Sequence, residues 1–300
     1  MTGRACPGCN TPSSVAQLFL KESISSAKMS AFSFASRKVP EYMCHRMVQC
    51  PACDLVYVDS PPTVQVLAEA YHVAEYDSTE EANDAAHAYA RAIAPVLRQL
   101  TRREVALEIG TGTGVFLEHL AAAGFNELFG VEPSTAAIAA APPERSGWIR
   151  EGIFVEGDFE PESFDLICCF MTLEHVRDPG DLARAVLRLL RPGGVFVTVT
   201  HDYRSPVNRL LGKRSPIIDI EHMQLFSRDS IKELLCRAGF KKVNITSFAN
   251  RYSLRYWLRL APLPSGLKKI FARLFELPWM RERKVNLNVG NKLAWGFKGN

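Results

Sequence analysis

Residues 107–114 read LEIGTGTG, in which three glycines alternate with threonine and Glu108 stands two residues ahead of the first. A glycine turn after an apolar run lets the backbone come close to a ligand. Two other groups of residues could do chemistry. Cys6 with Cys9, and Cys50 with Cys53, form two C-x2-C knuckles. Two residues between thiolates let a tight turn aim both at one ion, so the pair reads as a four-thiolate tetrahedral zinc site. Cys44 and His45 are substitute ligands. The third group is His175, His201 with Asp202, and Glu221 with His222, which fall in loops after apolar segments. Imidazoles titrating near neutrality suit the removal of a hydroxyl proton.

The elements that must hold these residues follow from the pattern. From residue 104 short apolar runs alternate with helical spacing, as in an open α/β sheet. VALEI (105–109), LFGVE (128–132), WIR (148–150), FDLICCF (164–170), VFVTVT (195–200) and KVNITSF (242–248) read as strands. VFLEHLAAAG (115–124), STAAIAAA (134–141) with Ser134 as cap, DPGDLARAVLRLL (178–190) with Asp178 as cap, and SRDSIKELLCRAGF (227–240) read as helices. VNLNVGNKLAWGFK (285–298) alternates apolar residues and reads as a final strand. Residues 204–218 read as a lid loop. Cys168, Cys169 and Cys236 read as packing residues.

Two nucleotide chemistries compete for the glycine turn. A dinucleotide needs G-x-G-x-x-G, and that pattern fails here, because Val115 or Leu117 occupies the third glycine position. The turn instead carries a carboxylate, which would repel a phosphate. S-adenosylmethionine has no phosphate and is positively charged, so Glu108 can offset its charge. Glu132 ends the second strand, where its two oxygens can accept both ribose hydroxyls.

LEIGTGTG, FGVEPS, SFDLICCFMTLEHVRDP and LRPGGVFVTVT, in this order, resemble the successive motifs of class I S-adenosylmethionine-dependent methyltransferases. The resemblance covers about residues 100–250 and the closing strand. It implies a Rossmann-like α/β fold with a seven-stranded sheet whose last strand is antiparallel. It implies cofactor contacts at Glu108, Gly110, Thr111, Gly112, Gly114, Glu132, Pro133, Ile153, Phe154 and Phe170. Such enzymes often place an acid after the third strand to hold the adenine amine; here Ile153 occupies that place, and Asp158 could replace it only if the loop is rearranged. VQCPACDLVYVDSPP, with Asp54 in place of a glycine, resembles the knuckle of bacterial methyltransferases that act on deoxysugars, polysaccharides and natural products. In those the zinc is structural, and four thiolates leave no open coordination position.

The expected organisation is a zinc ribbon at 1–60, a helical connector at 61–100 and a cofactor-binding core at 101–250. A basic amphipathic helical insertion follows at 251–284, with a closing strand at 285–300. The catalytic residues expected are His222, as base, with His175 and Glu221. The expected acceptor is a small molecule or glycan, foremost a sugar hydroxyl; C- or N-methylation of a natural product or nucleotide-sugar is the alternative. Ribosomal RNA is a further alternative that the zinc ribbon and basic tail keep open. The acidic balance of residues 1–250, 25 Lys/Arg against 30 Asp/Glu, argues against a broad nucleic-acid footprint. Residues 251–300 hold eleven Lys/Arg against two Asp/Glu. With the apolar spacing of Tyr256 to Phe275, that surplus suggests peripheral contact with an anionic membrane. MTGRACPGCN lacks the apolar stretch of a signal peptide, so a cytoplasmic protein, peripheral at the inner membrane face, is the expectation.

Overall fold

A computed structural model describes residues 3–299, except 31, 37 and 77. The N-terminal part contains β1 (Gln17–Leu20), β2 (Met47–Gln49) and β3 (Val56–Val58). Two helices follow, α1 (Val64–His72) and α2 (Thr79–Leu97). Then strands and helices alternate: β4 (Val105–Ile109), α3 (Val115–Ala122), β5 (Glu127–Glu132), α4 (Thr135–Ala139), α5 (Pro143–Ser146), β6 (Ile149–Glu151), β7 (Phe164–Phe170), α6 (Pro179–Leu189) and β8 (Leu190–His201). The remainder comprises α7 (Pro206–Leu211), β9 (Gln224–Leu225), α8 (Arg228–Ala238), β10 (Lys241–Ser247) and β11 (Asn250–Ser253). The chain ends with α9 (Leu254–Leu260), α10 (Ser265–Phe275), α11 (Pro278–Arg281), β12 (Lys284–Leu287) and β13 (Asn291–Phe297).

The seven-stranded sheet has the order β10-β13-β8-β7-β4-β5-β6, and β13 runs antiparallel to both its neighbours. β7 is buried along its whole length, as a central strand covered on both faces must be. The start of the strand is pinned by Asp165, whose Oδ2 accepts the Glu104 and Val105 N–H groups at 2.8 and 3.0 Å. Ser227 and Ser230 form a reciprocal cap on α8. No helix among the described residues is long and apolar enough to cross a membrane.

Three expectations are corrected. The final apolar segment is two strands: Gly290 turns the chain at φ +103°, β12 pairs with β11 in a separate ribbon, and only β13 closes the sheet. Asp178 does not cap α6 with its side chain; it pairs with Arg4 of the N-terminal knuckle at 3.1 Å. Cys236 is exposed, because its place on α8 faces away from the sheet.

The N-terminal ribbon is not closed by its own residues. Its sheet has the order β1-β2-β3-β9, so two residues from beyond the core's fifth strand supply the last edge. The knuckle rests on α6, where Gly180 leaves room for the Pro7 carbonyl, 2.6 Å from where a Cβ would stand. Asp54 makes a second attachment. It adopts φ +66°, a conformation glycine takes without strain, and its carboxylate binds Gln49, Tyr203 and Arg204. Burial raises the Asp54 pKa, but these hydrogen bonds outweigh it and bring the value down to about 2. A depressed carboxylate pKa contributes stability that is complete above the unfolded value near 4 and lost as pH falls through the folded one. Asp54→Asn should therefore cost about 1–3 kcal/mol at neutral pH in denaturant unfolding. The parent should lose that advantage between about pH 4 and 2.

Candidate active site

A single cavity of about 920 Å³ runs from the glycine turn to the histidines. The turn sits where β4 gives way to α3, at the C-terminal edge of the sheet, the place where open α/β sheets bind ligands. Gly110 has φ +76°, and a Cβ there would lie 2.2 Å from Thr172 Oγ1, so no side chain is tolerated. Glu108 is buried, and Thr111 donates its hydroxyl to Oε2 at 2.6 Å. Glu132, at the end of β5, accepts the Gly112 N–H through Oε2 at 2.7 Å and the Ser134 N–H through Oε1 at 2.9 Å. Each carboxylate oxygen keeps a lone pair for a ligand hydroxyl. Burial pushes the Glu132 pKa up, against the pull of these two amides.

Pro133, Ile153, Phe154 and Phe170 also line the cavity, together with Gly110, Thr111 and Gly112. Gly114 is not on its wall: it packs toward Ile149 and Arg145, because the chain has already turned into α3. Asp158 is not on the wall either. It pairs with Arg150 at 3.0 Å, while Ile153, Phe154 and Glu156 line the cavity there. The α1–α2 connector closes over this end, where Ser134 Oγ donates to the Ala74 carbonyl at 3.1 Å. The residues fit a cationic thioether nucleoside: two buried acids, a backbone opened by glycine, and apolar side chains at Ile153, Phe154 and Phe170.

At the other end His175, Glu221 and His222 come together, their ligating atoms all within 4.8 Å. The His175 and His222 rings stand 4.8 Å apart. His222 Nδ1 lies 2.8 Å from the Ile217 carbonyl. A carbonyl can only accept, so Nδ1 carries the proton and Nε2 is left basic. The Tyr71 hydroxyl donates to the Glu221 carbonyl at 3.1 Å, and its oxygen accepts from His175 Nδ1–H at 3.0 Å. Burial pushes the His175 and His201 pKa values down to about 4 and holds His222 well below its ordinary value. Burial raises Glu221 to about 8, against the pull of Lys38. Burial thus favours neutral imidazoles and disfavours the charged form of Glu221 along this wall.

Several wall residues carry no periodic sequence signal. Lys38 comes from the ribbon excursion and pairs with Asp219 at 2.7 Å. Tyr71 lies in the last turn of α1, and its ring makes edge-to-face contacts with Phe34 and His175. Gln224, the first residue of β9, donates its amide to the Leu173 and Val176 carbonyls and so fixes the turn that carries His175. Glu174 accepts the His201 N–H at 2.8 Å, and burial raises its pKa to about 7. Asp202 is not on the wall; it bridges to Phe226 and pairs with Lys292. The 204–218 segment forms α7 and a short turn, and Val207, Leu211 and Ile217 line the cavity.

The four ribbon cysteines form a separate cluster, all buried. The Cys6–Cys53 and Cys9–Cys50 Sγ atoms are 3.5 Å apart. That is too long for a disulfide, and close to the roughly 3.8 Å edge of a tetrahedron with Zn–S near 2.3 Å. Cys44 lies elsewhere, against the Lys21 carbonyl at 3.7 Å, and neither it nor His45 joins the cluster.

Six parallel strands with one antiparallel partner, and a glycine turn flanked by acids, define a class I S-adenosylmethionine-dependent methyltransferase fold. The chain belongs to the methyltransferase domain family, whose model matches residues 81–245. It is 32% identical over 118 residues to a ubiquinone biosynthesis O-methyltransferase of Burkholderia orbicola, covering 36% of this chain and 49% of that protein. A ubiquinone biosynthesis O-methyltransferase of Pseudomonas fluorescens is 29% identical over 117 residues, covering 35% and 49%. The chain thus spans about half the length of the curated relatives it matches. In fold it is similar to Haemonchus contortus phosphoethanolamine N-methyltransferase 2, solved with S-adenosyl-L-methionine: TM-score 0.50, 17% identity, covering 82% of this chain and 62% of the other.

Proposed function

We propose that the protein transfers a methyl group from S-adenosylmethionine to a sugar hydroxyl of a glycan or glycosylated metabolite in the cytoplasm. The observation that carries this reading is the single cavity joining the Glu108–Glu132 end to the free Nε2 of His222. When bound, the sulfonium supplies a methyl already activated for displacement, so the protein's work is alignment and proton removal. Glu132 holds the ribose and Glu108 offsets the cofactor's charge. His222 takes the acceptor proton at Nε2, while its Nδ1–H stays on the Ile217 carbonyl. His175 and the Tyr71 hydroxyl orient the acceptor. Phe34 and Tyr71 offer ring faces, and Lys38, Asp219 and Glu221 offer polar groups, a lining that suits a polyhydroxylated ring. The O-methyltransferase names of the relatives agree with an oxygen acceptor.

Incubation with methyl-labelled cofactor and a panel of nucleotide-linked and lipid-linked sugars tests the proposal. A labelled sugar that resists ribonuclease and releases its label as methyl iodide in hot hydriodic acid, as a methyl ether does, supports it. Label that ribonuclease releases, or a labelled natural product without sugar, overturns it.

The four thiolates hold a structural zinc ion in this reading. One zinc per chain is expected by metal analysis. Cys50→Ser should lose it and lower the melting temperature, since the metal ties the ribbon to α6 and α8. A metal-free parent with an unchanged melting temperature would contradict the assignment.

A further inference from the structure

Among the described residues, α10 and α11 present an uncovered apolar surface. On α10, Leu267, Ile270, Phe271 and Leu274 follow the i, i+3, i+4, i+7 spacing of a single helical face. All four are exposed, Ile270 by 63%, and Trp279 on the next helix is 62% exposed. A stripe of this kind on a water-facing helix marks a surface that meets something apolar.

Charge identifies the occupant. Lys269 and Arg273 flank the stripe, and Arg281 and Arg283 follow on the same segment. Glu276, one of the two acids nearby, is already paired with Arg255 at 2.9 Å. A second copy of this surface would set cation against cation. An anionic bilayer offers apolar depth for the stripe and phosphate charge for the flanks.

We infer that α10 and α11 dock the protein on an anionic lipid bilayer. The placement gives this a use. α9 packs against α10, and Trp257, Leu260 and Pro262 line the cavity. The surface that meets the bilayer therefore adjoins the wall of the cavity. An acceptor with a lipid anchor would reach the cavity from the membrane side. The inference goes beyond the proposed methyl transfer, and binding can be measured without any turnover.

The test is flotation of the full chain with vesicles of phosphatidylcholine containing phosphatidylglycerol, at low and high salt. Salt-sensitive co-flotation is expected, with far less on phosphatidylcholine alone. Lys269→Gln combined with Arg273→Gln should lower the partition coefficient by roughly 25-fold, about fivefold per cation. Ile270→Glu combined with Trp279→Glu should abolish binding. All four side chains are on the surface, so unchanged melting temperatures of the variants confirm that they fold. Absence of flotation overturns the inference. So does equal binding to neutral vesicles, or a concentration-dependent dimer that Ile270→Glu disperses. Binding to RNA in place of vesicles overturns it as well.

Discussion

Glu132→Ala should weaken binding of S-adenosylhomocysteine by roughly 100-fold or more in a calorimetric titration. The loss has two parts. The carboxylate accepts the Gly112 and Ser134 N–H groups, and without it the turn after β4 and the start of α4 lose their common anchor. A ligand's ribose then also loses the acceptor facing it. Hydrogen bonds to a charged group contribute about 1.5–3 kcal/mol each, and two such losses account for the factor. Glu132→Gln separates the parts. An amide keeps one accepting oxygen and turns the other into a donor that faces a backbone N–H, so an intermediate affinity is expected. Circular dichroism on both variants shows whether the protein titrated is folded. Unchanged affinity in Glu132→Ala would remove this carboxylate from the site.

His222→Ala should lower turnover by about 100-fold or more and leave the affinity for S-adenosylhomocysteine unaltered. The two readouts separate because His222 stands at the far end of the cavity from Glu132 and touches the Ile217 carbonyl rather than the glycine turn. His175→Ala should cost less, since in the proposed function His175 orients the acceptor and His222 takes the proton. The pH profile gives a second check. Burial keeps His222 from protonating until well below its ordinary value. A base with a lowered pKa stays unprotonated as pH falls, so turnover should hold between about pH 8 and 6 where an exposed histidine would already be failing. An acid limb at pH 6.5 that persists in both Glu221→Gln and Glu174→Gln would count against this buried imidazole as the base.

The cofactor end was legible because topology fixes it. Once strands alternate with helices, the end of β4 and the end of β5 must lie side by side, and Glu108, Gly110 and Glu132 are placed by counting. The four cysteines were legible from ligand spacing alone. The acceptor end was legible in part. His175, Glu221 and His222 stand out as residue types, but nothing in the sequence says that they meet. They meet because β9, only two residues long, joins the ribbon sheet and brings Gln224 under the turn that carries His175. A strand that short has no period to read. Lys38 and Tyr71 were silent for the same reason, since each reaches the cavity through tertiary packing from an irregular excursion or a helix end. Tyr256, Trp257 and Leu260 show the opposite failure. Their apolar spacing suggested a membrane face, but Tyr256 is buried and the other two line the cavity, leaving the exposed stripe to α10. Periodicity marks an apolar face without saying what covers it.

Isothermal titration of the purified chain, first with S-adenosylhomocysteine and then with NAD, puts the central claim to its most direct test. One equivalent of the thioether nucleoside should bind and release or absorb heat, and the dinucleotide should produce none. Heat from NAD, with silence from S-adenosylhomocysteine, would mean that the acid-flanked turn serves a phosphate ligand after all.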